Sequence, residues 1–234
     1  MSLNVIFVRH GESVWHGENR YAGATDIDLT EHGRDQAAAL ADWAAQAGLT
    51  AVWSSPMLRC RQTAADSAAR AGLPLHLDPR LRELDFGVAE GLTRAEMRER
   101  MPEAVASFEA DPVASHFPEG EDPAAVVERY VAFLTDLRAE HDNGGQGNSG
   151  QGNGAQGNGN GGGSSGGKDG GRILVVAHST AIRLTLCRLL DLPLRDYRRR
   201  FPRLANCALN ELVLSDGTPS LLTLNRPVTP GVPA

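Results

Sequence analysis

Residues 4–8, NVIFV, and residues 173–177, ILVVA, are the two most hydrophobic short runs of the chain. Each leads into a histidine at its carboxyl end, His10 after Arg9 and His178 directly. Runs without polar alternation suit strands covered on both faces, so layers are needed above and below them. Helical patterns between the runs can supply those layers. Thr30 can cap a helix whose inward residues are Ala37, Leu40, Ala41, Ala44 and Ala47, with Gly48 as its stop. A short strand at 51–53 follows, then Ser55 as N-cap and Pro56 as first helical residue of a helix that carries Arg59, Arg61 and Ala64 and closes near Gly72. Thr93 and Glu96 have capping-box spacing, and Asp122-Pro123 opens a longer helix with Val126, Tyr130, Phe133 and Leu137 on one face. Ile182, Leu186, Leu189 and Leu190 mark a helix after the second run, and 209–214 and 221–224 can add strands. This alternation predicts an α/β fold, a three-layer αβα sandwich around a mainly parallel sheet, formed as one domain over 1–234.

One segment stands outside that pattern. Of 26 glycines in 234 residues, 15 fall within 144–171, among Asn, Gln and Ser. With almost no apolar side chain to offset the entropy of ordering, 144–171 is expected to be a flexible insertion. It enters the amino end of the 173–177 strand, whereas ligand sites in open parallel sheets lie beyond the carboxyl ends, so it is placed on the wrong edge for a lid.

Charge and cysteine usage narrow the function classes. A net charge of −6 argues against general nucleic-acid binding, while leaving room for a local basic pocket. Cys60, Cys187 and Cys207 are odd in number and widely spaced, which fits a reduced, cytoplasmic compartment and no zinc site. No apolar run approaches the ~20 residues of a membrane span, and Arg9 and His10 interrupt the first run before it could serve as a signal sequence. No membrane partner, metal or cofactor is expected.

His10 and His178 both fall at the edge where α/β sites are built. Gly11 removes a side chain where backbone must come close to a ligand, and Arg9 adds a permanent charge. Taken singly, each residue has an ordinary explanation: Arg59 beside Arg61 reads as a solvent-facing charge run, and Glu83 after Arg80 and Arg82 as an exposed ion pair.

The combination is more specific. VRHGES at 8–13, SSPMLRCRQTA at 54–64, LRELDFGVAEG at 81–91 and VVAHST at 175–180, with NRYAGATDIDLTEHGRDQA at 19–37 between the first two, resemble in this order the histidine phosphatase superfamily. That family includes cofactor-dependent phosphoglycerate mutases and many phosphomonoesterases. The likeness covers nearly all of the chain except 144–171 and the last ten residues. It implies that His10 attacks phosphorus, that Arg9, Arg59 and His178 hold the phosphoryl oxygens, and that Glu83 serves as acid and then base. Gly11, His16 and Gly23 complete the implied substrate-binding set. The chemistry suits these types: a phosphate monoester needs cations around its oxygens, a neutral imidazole is a nucleophile near pH 7, and an alkoxide leaves well only when protonated.

Three positions depart from the family pattern. His16 stands where an asparagine is usual, Ala89 precedes Glu90-Gly91 where an aromatic is common, and Ser179 follows His178 in place of glycine. Glu83 and His178 are 95 residues apart, but only about 67 when the 28-residue segment is set aside, which is the shorter phosphatase-like layout. The basic segment with paired arginines that mutases place over the site is not found near Arg94, Arg98 and Arg100, and 118–121 (PEGE) resembles a turn of small phosphatases. A site with less cationic retention should let water finish the reaction. The expected activity is therefore hydrolysis of a small phosphorylated metabolite, with phosphoglycerate mutase as the enzymatic alternative and a silent phosphate-binding module as the non-enzymatic one. Oligomeric state is left open.

Overall fold

The computed structural model describes residues 2–144 and 170–228. Its centre is one six-stranded sheet: β1 (Leu3–Arg9), β2 (Ala51–Ser54), β3 (Leu75–Leu77), β4 (Arg172–Ala177), β5 (Leu209–Leu214) and β6 (Ser220–Arg226), in the order β3-β2-β4-β1-β5-β6. β1 and β2 both run parallel to β4, and β3 parallel to β2, whereas β5 and β6 are antiparallel additions beyond β1. The two apolar runs are thus neighbouring central strands.

Alternation along those strands divides the core into two layers. Ile6, Val8, Leu174 and Val176 pack with Leu40 of α1 (Glu31–Ala44) and with Cys60, Ala64 and Ala68 of α2 (Leu58–Ala71). Val5, Phe7, Ile173 and Val175 face the other way, toward Tyr130, Phe133 and Leu137 of α5 (Pro123–Gly144) and Ile182 and Leu186 of α6 (Ser179–Leu189). Shorter helices α3 (Arg94–Arg100), α4 (Pro102–Ala110) and α7 (Tyr197–Arg200) extend the second layer. No helix among the described residues is long and apolar enough to cross a membrane.

Local signals act much as expected. Thr30 Oγ1 accepts from Gly33 N at 2.9 Å to cap α1, Gly72 ends α2 at φ +68, and Thr93 and Glu96 form a reciprocal capping box. α2, however, does not begin at Ser55-Pro56. Met57 is its N-cap without a side-chain bond; Ser55 lies two residues too early, and its hydroxyl faces His178. Of the Gly-rich segment, 145–169 lies outside the described residues, so the expectation of flexibility falls there. Its flanks are placed: Gly144 ends α5, and Gly171 donates to His141 Nε2 at 2.7 Å while its carbonyl accepts from Asn4 N at 2.9 Å. Both flanks therefore leave from the amino edge of the sheet, opposite His10 and His178.

Candidate active site

Parallel pairing of β1 with β4 sets Arg9 opposite Ala177, and His10 N donates to the Ala177 carbonyl at 3.0 Å. Two histidines far apart in sequence consequently meet at the carboxyl edge, with ring centroids 5.3 Å apart and the rings near perpendicular. In front of them opens a cleft of about 490 Å³ lined by Arg9, His10, His16 and Glu83 among others.

His10 is buried and presented in one orientation. Its Nδ1 lies 2.7 Å from the Gly11 carbonyl, an acceptor only, so Nδ1 carries the hydrogen and Nε2 keeps its lone pair. Burial, then the charges of Arg59 and Arg9, hold its pKa well below the ordinary imidazole value, which keeps the ring neutral and nucleophilic. Arg9 spans outward, donating from Nη1 to Leu204 O at 3.0 Å and from Nη2 to His16 at 3.3 Å. A guanidinium only donates, so the facing nitrogen of His16 accepts. Burial and Arg9 lower the His16 pKa accordingly.

Glu83 reaches the cleft from the loop before α3, and is buried rather than part of an exposed ion pair. Its Oε2 accepts from Thr180 N at 3.0 Å, and its Oε1 from Ala181 N and Leu84 N, both at 2.9 Å. Two of those donors belong to the first turn of α6, where N–H groups have no partner within the helix.

Arg59 and His178 stand behind the cleft wall. Arg59 is fully buried, which overturns the solvent-facing explanation; its guanidinium donates to Gly23 O at 2.8 Å and Thr25 O at 2.9 Å. His178 Nε2 lies 2.8 Å from Ser55 Oγ and 3.4 Å from Cys60 Sγ. Burial and Arg59 keep its pKa well below 6.5, so it can offer one N–H as a neutral ring, not two as an imidazolium. Gly11 and Gly23 serve packing: a Cβ on Gly11 would overlap the Gly33 carbonyl, and one on Gly23 would overlap Leu84 O and Glu90 Oε1. The Gly11 N–H is also taken, donating to Thr63 Oγ1 at 2.9 Å. The close approach that requires Gly11 is thus to the start of α1, not to a ligand.

The residues that sequence reasoning missed are arginines. Arg183 on α6 and Arg198 on α7 line the same cleft, together with Arg20 and Arg94. A cleft poor in retaining cations was expected, and the structure corrects that: Arg94 of α3 lines it, and Arg183 and Arg198 add cations from α6 and α7, after β4. The available signals were Arg183 five residues beyond His178, within the first turns of a helix that starts at the site, and the unbroken Arg198-Arg199-Arg200 run.

A sequence model of the histidine phosphatase superfamily (branch 1) matches residues 5–145 and 165–227. The chain belongs to this superfamily. Among curated members, phosphoserine phosphatase 1 of Hydrogenobacter thermophilus is 29% identical over 195 residues, covering 83% of this chain and 80% of that protein. A probable phosphoglycerate mutase, GpmB, of an Enterobacter species is 31% identical over 215 residues, covering 90% and 84%. The solved structure of a mycobacterial glucosyl-3-phosphoglycerate phosphatase superposes with a TM-score of 0.78 at 24% identity, over 97% of this chain and all of that one, and so shares the histidine phosphatase fold.

Proposed function

We propose that this protein is a phosphomonoesterase that hydrolyses a small phosphorylated metabolite through a phosphohistidine on His10. The observation that carries the proposal is the fixed tautomer of His10: Nδ1 is tied to Gly11 O and the Nε2 lone pair is free, next to Arg9 in a cleft that Glu83 also lines. Nε2 attacks phosphorus as the ester P–O bond breaks, and Glu83 delivers a proton to the departing oxygen. Water then attacks the phosphohistidine, Glu83 takes a proton from it, and His10 is released neutral with inorganic phosphate. While Nε2 carries the phosphoryl group, the Nδ1–H bond to Gly11 O supports the charge on the ring.

Arg9 is assigned to the phosphoryl oxygens directly, with His16 orienting it and His178 and Arg59 supporting His10 from behind. The Nε atoms of Arg9 and Arg183, which line the cleft, are buried without a hydrogen-bond partner among the described residues, a costly arrangement that an oxyanion would relieve. The mechanism asks nothing of a metal or a cofactor. We also read 1–234 as one catalytic domain with an insertion, because the family match passes over 146–164.

A chelator-treated sample should release phosphate from 4-nitrophenyl phosphate, His10→Ala should abolish release, and an acid-labile phosphoenzyme should be trapped during turnover. Activity retained in His10→Ala would overturn the mechanism. The arginines around the cleft favour a second assignment, retention of a bisphosphorylated intermediate as in a mutase; interconversion of 2- and 3-phosphoglycerate faster than hydrolysis of either would establish it.

A further inference from the structure

Three arginines of the cleft, Arg9, Arg183 and Arg198, make no salt bridge among the described residues, whereas Arg20 pairs with Glu18 and Glu96 and Arg94 pairs with Glu109. Arg9 serves the phosphoryl group beside His10. The other two cations exceed what one monoester phosphate requires. Among the described residues Arg183 donates only to Pro202 O, at 3.2 Å, and its buried Nε has no partner. Arg198 is held firmly: Nε donates to Tyr197 Oη at 2.9 Å, both terminal nitrogens lie 3.4 Å from Tyr21 Oη, and the guanidinium sits 4.7 Å over the Phe108 ring.

These cations also act on one another in sequence. Burial and then Arg183 depress the Arg9 pKa to about 10, and burial and then Arg198 depress that of Arg183. Glu83 of the same cleft acts on both Arg9 and Arg183, but one carboxylate does not balance three arginines that make no salt bridge among the described residues, and such an excess of like charge in a walled cleft is stabilised by an anion from outside. Beyond Arg198 the surface continues as a smaller cavity, about 280 Å³, lined by Arg94, Arg195, Arg198 and Arg199 against the carboxylates of Glu109 and Asp196. Arg94 and Arg198 line both cavities, so the space in front of His10 continues toward α7.

On the basis of the hydrolase assignment above, we infer that the substrate carries a second anionic group, a carboxylate or a second phosphate, bound by Arg183 and Arg198 while the monoester lies at His10. Planar guanidinium forks suit either group, and the aromatic packing of Arg198 fixes its position before binding.

A matched set of four-carbon esters tests this: 4-hydroxybutyl phosphate, its counterpart ending in a carboxylate, and butane-1,4-diol bisphosphate. The full-length enzyme should favour at least one anionic ester over the hydroxyl ester by about tenfold or more in kcat/KM, the loss of one charge-assisted contact being of that order. The better of the two anionic esters identifies the group. Arg198→Met and Arg183→Met should each shrink that ratio toward one, and Arg198→Lys should retain most of it. The ratio is measured within each variant, so a general loss of folded enzyme cancels. A ratio within about twofold in the unmodified enzyme, or an equal loss on all three esters in both methionine variants, overturns the inference and leaves the hydrolase assignment standing. No release from any ester overturns both.

Discussion

The Ser55 hydroxyl lies 2.8 Å from Nε2 of His178, both groups are fully buried, and the His178 ring sits 5.3 Å from that of His10. Ser55 thereby orients a neutral imidazole that has no other oxygen partner among the described residues. Ser55→Ala should lower kcat/KM by about tenfold and cost about 1–3 kcal/mol of stability, because a buried polar nitrogen loses its partner. Steady-state kinetics and urea unfolding of the same sample check both numbers; unchanged kcat/KM would remove Ser55 from the machinery.

Glu83→Gln should separate substrates by leaving group. An alkyl phosphate needs the proton and should slow by about 10²- to 10⁴-fold, whereas 4-nitrophenyl phosphate, whose phenolate leaves unaided, should slow far less. The variant should also be less stable, since its amide nitrogen meets backbone N–H groups of Leu84, Thr180 or Ala181. An equal effect on both substrates would argue against Glu83 as the acid.

Gly11→Ala tests the packing role of that residue. Its new Cβ would press on the Gly33 carbonyl, and relief requires α1 to shift. Overpacking of this kind costs about 1–3 kcal/mol, several degrees in Tm for a chain of this size. Because the same backbone holds His10 Nδ1, turnover should fall as well. Thermal melts and phosphate release report the two effects.

Stability should decline as pH falls below 6.5. His10, His16 and His178 have folded-state pKa values below the ordinary 6.5, with burial the leading cause in each. Between those lowered values and 6.5 the unfolded chain binds more protons than the folded one, so their contribution is lost on acidification and is flat above 6.5. Chemical unfolding at pH 5.5 should give a lower free energy than at pH 7.5, with proton uptake on unfolding measurable by calorimetry. Equal stability at the two pH values would contradict the buried, neutral state of these rings.

The central fold was legible because its strands obey simple rules. β1 and β4 are apolar on both faces, and Thr30, Gly72, Thr93 and Pro123 mark helix ends through local hydrogen bonding and backbone preference. β3, three residues long at the sheet edge, carries no periodic signal, and α7 is a single turn. His10, Arg9 and Glu83 could be picked out because they fall in motifs that stand together. Arg183 and Arg198 carried only spacing and a charge run as signals, which did not decide the matter: whether an arginine on a helix faces solvent or a cleft depends on which layer the helix joins, a tertiary property. The hydroxyl of Ser55 was misassigned for the same reason, since a distant imidazole competes for it against the local cap.

The strand order also has a consequence for how the chain is made. β4 lies between β2 and β1, yet it follows both by more than a hundred residues and comes after the Gly-rich segment. Until residues 172–177 leave the ribosome, β1 and β2 have no partner between them, and two apolar strand edges stay open to pairing with other chains. The chemistry waits on the same event, because His178 ends the strand that closes the gap. Recovery of activity on refolding is thus a direct readout of central-strand insertion, and any slowing of that step lengthens the interval in which the chain is most prone to aggregate.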